Sequence, residues 1–333
     1  MQIRSLKRRD FITLVGSSAA AWPLAAHAQQ PRMPVVGLLD NRAAETTADR
    51  LRGFHHGLRE SGFVEGESVL IVYRWSDGDN RRLPELAADL VNRRVAVIAA
   101  TGGTPTALVA KAATTTIPIV FAVPEDPVAL GLVASLPRPG GNLTGVNFFN
   151  AEVAAKRLEL MRELVPTAKR VAVLVNPTNA ANMEANLRQL QPAAKALQAQ
   201  IEVVRAANSQ EIDAAFAMMA RDRPDVLFVM GDSLFNTRRL QLAMLAARHA
   251  LPACYPSRDY PASGGLMSYG TDVTDAFRQV GDYVGRILKG ARPADLPAVQ
   301  AVKFQLVINA QTARLLDLTV PPQLLARADE VIE

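Results

Sequence analysis

Runs of small and β-branched residues, each closed by a polar turn and followed by an amphipathic helical pattern, recur from Val35 to Tyr255. Such runs fill strands buried on both faces of a parallel sheet. The alternation therefore predicts an α/β chain whose parallel sheets carry helices on both sides. The clearest unit is VAVIAATGGTPTALVAK, residues 95–111, in which a strand over 95–100 ends at Thr101, Gly102 and Gly103. Thr104 reads as the N-cap of the next helix and Pro105 as its first residue, with the helix continuing over 106–113. Unpaired N–H groups and a partial positive charge at that helix end offer a seat for a carboxylate or phosphate, and the glycines let a ligand come close to the backbone. The glycine pair is neither a P-loop nor a dinucleotide fingerprint, since no Lys-Ser or Lys-Thr follows it. A strand-to-helix connection that binds nothing has the same local pattern, so the rest of the chain has to decide.

Taken in order, strands are expected over 35–39, 68–73, 95–100, 117–123 and 143–147, with helices over 47–61, 83–93 and 106–113 and a short one over 128–136. The pattern then restarts. Helices over 151–164, 183–198, 210–221 and 237–249 alternate with strands over 170–175, 200–205, 226–230 and 252–255. The tail adds a strand over 266–270, a helix over 272–288 and a strand over 303–308, enough to cross to the first unit, leave a helix there and return. The expected architecture is two doubly wound parallel-sheet lobes joined by a hinge of three chain crossings, near Asn147, Tyr269 and Val302. A cleft lined by the carboxyl ends of both sheets follows from it.

Residues 1–28 read as a signal peptide: a basic stretch from Arg4 to Arg9, an apolar run from Phe11 and a small-x-small site at Ala26-His27-Ala28. Arg8 and Arg9 with Phe11 resemble a twin-arginine signal, although Lys7 stands where Ser or Thr is usual, so Sec export stays open. A soluble periplasmic protein is expected. The leader holds Arg4, Lys7, Arg8 and Arg9 against Asp10, a surplus of three, so the formal +5 becomes +2 in the mature chain. Sparse aromatics and the lack of a persistent basic run argue against nucleic acid as a partner. With Cys254 alone, no internal disulfide can form. No metal-ligand or nucleophile–base spacing is present, and no cofactor is expected. His55, His56 and His249 fall within predicted helices.

Four segments then carry a resemblance: IPIVFAVPEDPVALGLVASLPRPGGNLTGV (117–146), VAVLVNPTN (171–179), ASGGLMSYGTDVTDAFRQVGDYVGRILKGARPADLP (262–297) and KFQLVINAQTARLLDLTVPPQLLARADEVI (303–332). The chain resembles the ABC transporter substrate-binding proteins of type I periplasmic binding protein fold, in the branch that includes tryptophan- and phenylalanine-binding members. The resemblance implies capture of an amino acid, or an aromatic or branched carboxylate, by lobe closure, with delivery to an ABC permease in the inner membrane and no bond making. A monomer is expected. The lobes would comprise 33–147 plus 270–298, and 148–269 plus 299–333. In relatives strand one more often ends in a Gly- or Ser-rich turn than in Leu39-Asp40-Asn41.

Ligand contacts are expected just after the strands: Asp40, Asn41, Gly103, Thr104, Pro105, Glu125, Asp126 and Asn147 from the first lobe, and Asn176, Asn179, Asp232, Ser233 and Tyr269 from the second. Thr104 and its helix end would meet a carboxylate; Asp232, Glu125 or Asp126 an ammonium; Tyr269 or Phe148 an apolar side chain. Asp232 as a helix cap, Asn176 as a turn residue and Tyr269 as hinge core are competing structural roles. An exported enzyme using Glu125 with Asp232 as paired carboxylates is the alternative from another class. A sensory ligand-binding protein, reporting to a membrane kinase or chemoreceptor, is a third.

Overall fold

The computed structural model describes residues 33–148 and 150–333; the expected signal peptide lies outside them. In the first lobe β1 (Val35–Asp40) pairs in parallel with β2 (Leu70–Trp75) and with β3 (Val97–Ala100). Beyond β3 lie β4 (Ile119–Val123) and β5 (Leu143–Asn147), also parallel. Side chains alternate between two fully covered faces. Val36, Leu38, Val97, Ala99, Val120 and Ala122 pack under α1 (Ala48–Glu60). Leu39, Ile98, Ala100, Ile119, Phe121 and Val123 pack instead under α2 (Leu83–Asn92) and α3 (Thr104–Ala113). A period of two with both faces apolar reads in sequence as an unbroken hydrophobic run, which is why these strands were legible.

The second lobe repeats the order. Its sheet is built from β6 (Arg170–Val175), β7 (Gln200–Arg205), β8 (Val226–Val229), β9 (Ala253–Tyr255) and β10 (Met267–Thr271). Here α4 (Asn150–Leu164) and α5 (Ala180–Ala196) cover one face, and α6 (Ser209–Asp222) and α8 (Arg239–Arg248), which follows the short α7 (Ser233–Thr237), the other. Cys254 is buried in this sheet, and burial pushes its thiol up to about 12, so it stays protonated and unreactive. Both sheets run second strand, first, third, fourth, fifth. The order therefore reverses between β1 and β3 in one lobe and between β6 and β8 in the other, the two places where carboxyl ends splay apart and leave room for a ligand.

The tail does what its pattern predicts. After β10 the chain returns to the first lobe as α9 (Val273–Leu288), adds β11 (Val299–Gln300) in parallel beside β5, and goes back as β12 (Phe304–Asn309) and β13 (Glu330–Ile332). The chain thus changes sheets after Asn147, after Thr271 and after Gln300. Val299 and Gln300 pair with the first sheet, so that lobe runs past the expected boundary at 298, and the last crossing falls near Val302 as expected. Glycines on both helices bring α9 against α1. A Cβ on Gly57 would sit 1.8 Å from the Arg278 carbonyl oxygen, and one on Gly281 2.0 Å from that of Phe54.

Three local expectations differ. No helix forms over 128–136: the Asp126 carboxylate accepts from Val128 N at 2.8 Å, and one turn closes at Gly131, φ +67. The helix expected over 237–249 starts earlier and breaks at Arg238 into α7 and α8. Strand β2 lies two residues later than expected, at the edge of its sheet, and its first residue, Leu70, is exposed.

Candidate functional site

The loops that follow β1, β3, β6 and β8 meet over a cleft of about 700 Å³, counted to its open mouth. After β3, Gly103 takes φ 84 and ψ −165, a conformation that side chains avoid, and is itself the N-cap of α3. This corrects the expectation for Thr104, which is the first helical residue. Its hydroxyl donates to the Glu125 carboxylate. Gly103, Thr104 and Pro105 all line the cleft, with the α3 amino end behind them.

Asp40 does not line the cleft; it builds the residue that does. Its carboxylate accepts from Arg42 N at 2.9 Å, from Arg42 Nε at 2.9 Å and from Thr101 Oγ1 at 2.8 Å. The Arg42 guanidinium, so held, lines the cleft and lies 5.4 Å from the Phe277 ring centre. Asn41 is buried and spends its amide on Asn80 Oδ1 at 3.1 Å. Glu125 lies behind Thr104, and burial pushes its carboxyl up to about 7. Asn147 donates to the Glu125 carbonyl oxygen at 2.9 Å. Asp126 is exposed and closes its own turn. None of Asn41, Glu125, Asp126 and Asn147 lines the cleft.

In the second lobe Asp232 lines the cleft and caps α7 through Leu234 N at 2.9 Å. Asn176 and Asn179 donate to its two carboxylate oxygens at 2.9 and 3.1 Å. Asn179 also lines the cleft, whereas Asn176 stands behind and positions Asp232. Burial raises the Asp232 carboxyl despite these donors. Ser233 crosses to the first lobe, its Oγ donating to Gly102 O at 3.2 Å. Tyr269, expected on the cleft wall, packs on the second-lobe core with its ring 6.2 Å from that of Phe304. Its strand has neighbours on both sides, so its side chain goes to a sheet face instead of the sheet end.

The wall is made by other residues. Phe148 and Phe277, with ring centres 6.3 Å apart, join Tyr260, Pro105, Pro124 and Val273 around the cleft. Arg50, Asn236 and Ser257 complete it. Four polar atoms in this set are buried without a partner: Arg50 Nε, Asn236 Oδ1, Ser257 Oγ and Tyr260 OH. Such groups are costly unless something satisfies them, and here they share a cleft with an aromatic wall. Applying the end-of-strand rule to β9 would have found Ser257. Nothing in sequence marks Arg50 or Phe277, which arrive on the faces of α1 and α9.

Two lobes with parallel sheets, broken only by the antiparallel pairing of β10 with β12 in the second, three crossings and a polar cleft at both switch points define a type I periplasmic binding protein. Residues 14–332 match the family described as ABC transporter substrate binding protein, and the chain belongs to that family. It is 28% identical, over 80% of its length and 76% of the relative's, to a tyrosine-binding protein of Clostridioides difficile (strain R20291). Among solved structures it is similar to a conserved domain protein from Vibrio cholerae, with TM-score 0.83 and 28% identity over 90% of this chain and 100% of that one. It is also similar to an ABC domain from Streptococcus pneumonia in complex with L-Trp, with TM-score 0.82 and 26% identity over 90% of this chain and 99% of the other. No helix among the described residues is long and apolar enough to cross a membrane, and none of their His, Cys, Asp and Glu side chains cluster as a metal site.

Proposed function

We propose that the cleft captures an α-amino acid with an aromatic side chain in the periplasm, as a single exported copy, and presents it to an inner-membrane ABC permease. The observation that carries this reading is the set of four unpartnered buried polar atoms beside Phe148, Phe277 and Tyr260. Arg50 Nε, Ser257 Oγ and Tyr260 OH are donors suited to a carboxylate, Asn236 Oδ1 and Asp232 are acceptors suited to an ammonium, and the rings suit an apolar side chain. Relatives named for tyrosine binding and solved with L-Trp support the ligand class. Export rests on the leader pattern in residues 1–28.

Capture without turnover fits this geometry better than the paired-carboxylate enzyme. Glu125 does not line the cleft but stands behind Thr104, so Asp232 faces a bound molecule without a second carboxylate beside it. The acid–base pair that such an enzyme needs is therefore not assembled in the cleft.

A melting screen of L-tyrosine, L-tryptophan, L-phenylalanine, branched carboxylates and sugars tests the reading. At a hundred times its dissociation constant the right ligand adds about 2.7 kcal/mol to the folded state. A screen in which sugars shift the transition and amino acids do not would overturn it. Tyr260→Phe sharpens the test. Removing a buried hydroxyl that has no partner leaves stability unchanged or raises it by up to about 1 kcal/mol, whereas losing a bond to a charged ligand weakens binding about tenfold or more. Calorimetric titration and urea unfolding of the same variant measure both, and a destabilised variant with unchanged affinity would count against the assignment of that hydroxyl.

A further inference from the structure

Arg50 belongs to the first lobe, in the first turn of α1, yet it reaches the second: Nη1 donates to Asp259 Oδ2 at 2.7 Å. Both side chains are almost shut off from solvent, 5% and 10% exposed. Asn236 Nδ2 also donates to Asp259 Oδ2, at 3.2 Å. Burial alone would raise the Asp259 carboxyl, but Arg50 and Asn236 outweigh it and hold the group below its usual range. The opposite edge of the same guanidinium faces another task. Arg50 lines the cleft, and its Nε is buried with no acceptor. A guanidinium presents donors on more than one edge of a rigid plane, so it can serve two anions at once, which an ammonium cannot do in the same geometry. Arg42, the other cleft guanidinium, is already neutralised by Asp40.

We propose that Arg50 couples recognition of the ligand's carboxylate to closure of the lobes, its Nε edge taking the carboxylate while Nη1 grips Asp259 across the cleft. This rests on the amino-acid reading above. A ligand shifts the lobes toward closure only by what it gains in the closed state over the open one. A carboxylate at Nε satisfies a donor that closure buries, and a neutral group in its place satisfies it less well. Arg50 thereby sets specificity for acids over their amides.

The test uses the full mature chain with L-tyrosine, L-tryptophan and their carboxamides, affinity read by calorimetry and closure by small-angle scattering. The wild-type protein should prefer acid to amide by about 10- to 100-fold. Arg50→Gln should bring that ratio close to one and abolish ligand-induced compaction. Asp259→Asn should keep the acid preference and lose most of the compaction. If Arg50→Gln proves unfolded by circular dichroism, Arg50→Lys replaces it; a single ammonium cannot serve both sites, so acid preference or compaction is lost. An Arg50 variant that folds and retains both properties overturns the coupling and leaves the amino-acid reading standing. Binding of neither amino acid to the wild-type protein overturns both.

Discussion

Gly57→Ala should destabilise the protein by about 3 kcal/mol, although alanine is the better helix former by about 1 kcal/mol. The two effects oppose each other, and geometry decides between them. A Cβ at residue 57 would lie 1.8 Å from the Arg278 carbonyl oxygen and 2.7 Å from Asp282 N, both backbone atoms that cannot rotate away. The helices must separate, and α1 and α9 together cover one face of the first sheet through Phe54, Leu58, Phe277 and Val280. Gly37→Ala gives the comparison: its Cβ would meet only the tip of the Leu90 side chain, Cδ2 at 2.8 Å. Side-chain atoms can give a little, so its cost should be smaller. Urea unfolding of the two variants reads the order directly. If Gly57→Ala were as stable as the wild-type chain, the close helix contact would not exist in solution.

The pH dependence of stability supplies the second large effect. Burial pushes the Glu125 carboxyl from the ordinary 4.5 up to about 7. Between those values the folded chain holds a proton that the unfolded chain has released, so raising the pH favours the unfolded state. Glu125 therefore contributes most to stability below about pH 4.5, and that contribution is lost as pH rises to about 7. The whole shift amounts to about 3 kcal/mol. Glu125→Gln keeps an acceptor for the Thr104 hydroxyl and removes the titrating proton. Its stability, measured by denaturant melts from pH 4.5 to 7.5, should run about 3 kcal/mol flatter than that of the parent. Parallel curves for the two proteins would mean that Glu125 ionises normally and is not shielded by its surroundings.

The same carboxylate shows how far end-of-strand reasoning reaches. Every strand end brings polar residues to the same side of its sheet, so listing those residues places them near the cleft without ranking them by depth. Gly103, Thr104, Pro105, Asn179, Asp232 and Ser233 line the cleft. Asp40, Asn176 and Glu125 stand one layer behind and hold Arg42, Asp232 and Thr104 in place. A carboxylate or amide looks identical in sequence whether it faces a ligand or a neighbouring side chain, since the difference lies in what a distant segment brings alongside. Residue 269 failed for a related reason. Its chain crossing does border the cleft, but pairing on both sides turns the Tyr269 ring to the face of the sheet.

Sequence alone determined the strands, most of the helices, the repeat of one α/β order and the return of the tail, because covered parallel strands, amphipathic helices and glycine turns are local patterns with local physical causes. It also pointed to most of the strand ends that face the cleft, which follows from that order, but left out the end of β9 with Pro256 and Ser257. Tertiary structure alone decided that Arg42, Arg50, Tyr260 and Phe277 would complete it, and that Arg50 would meet Asp259. Those side chains come from two helix faces and two loops far apart in the chain, and only the packing of α1, α9 and the second lobe brings their charges and rings to one place.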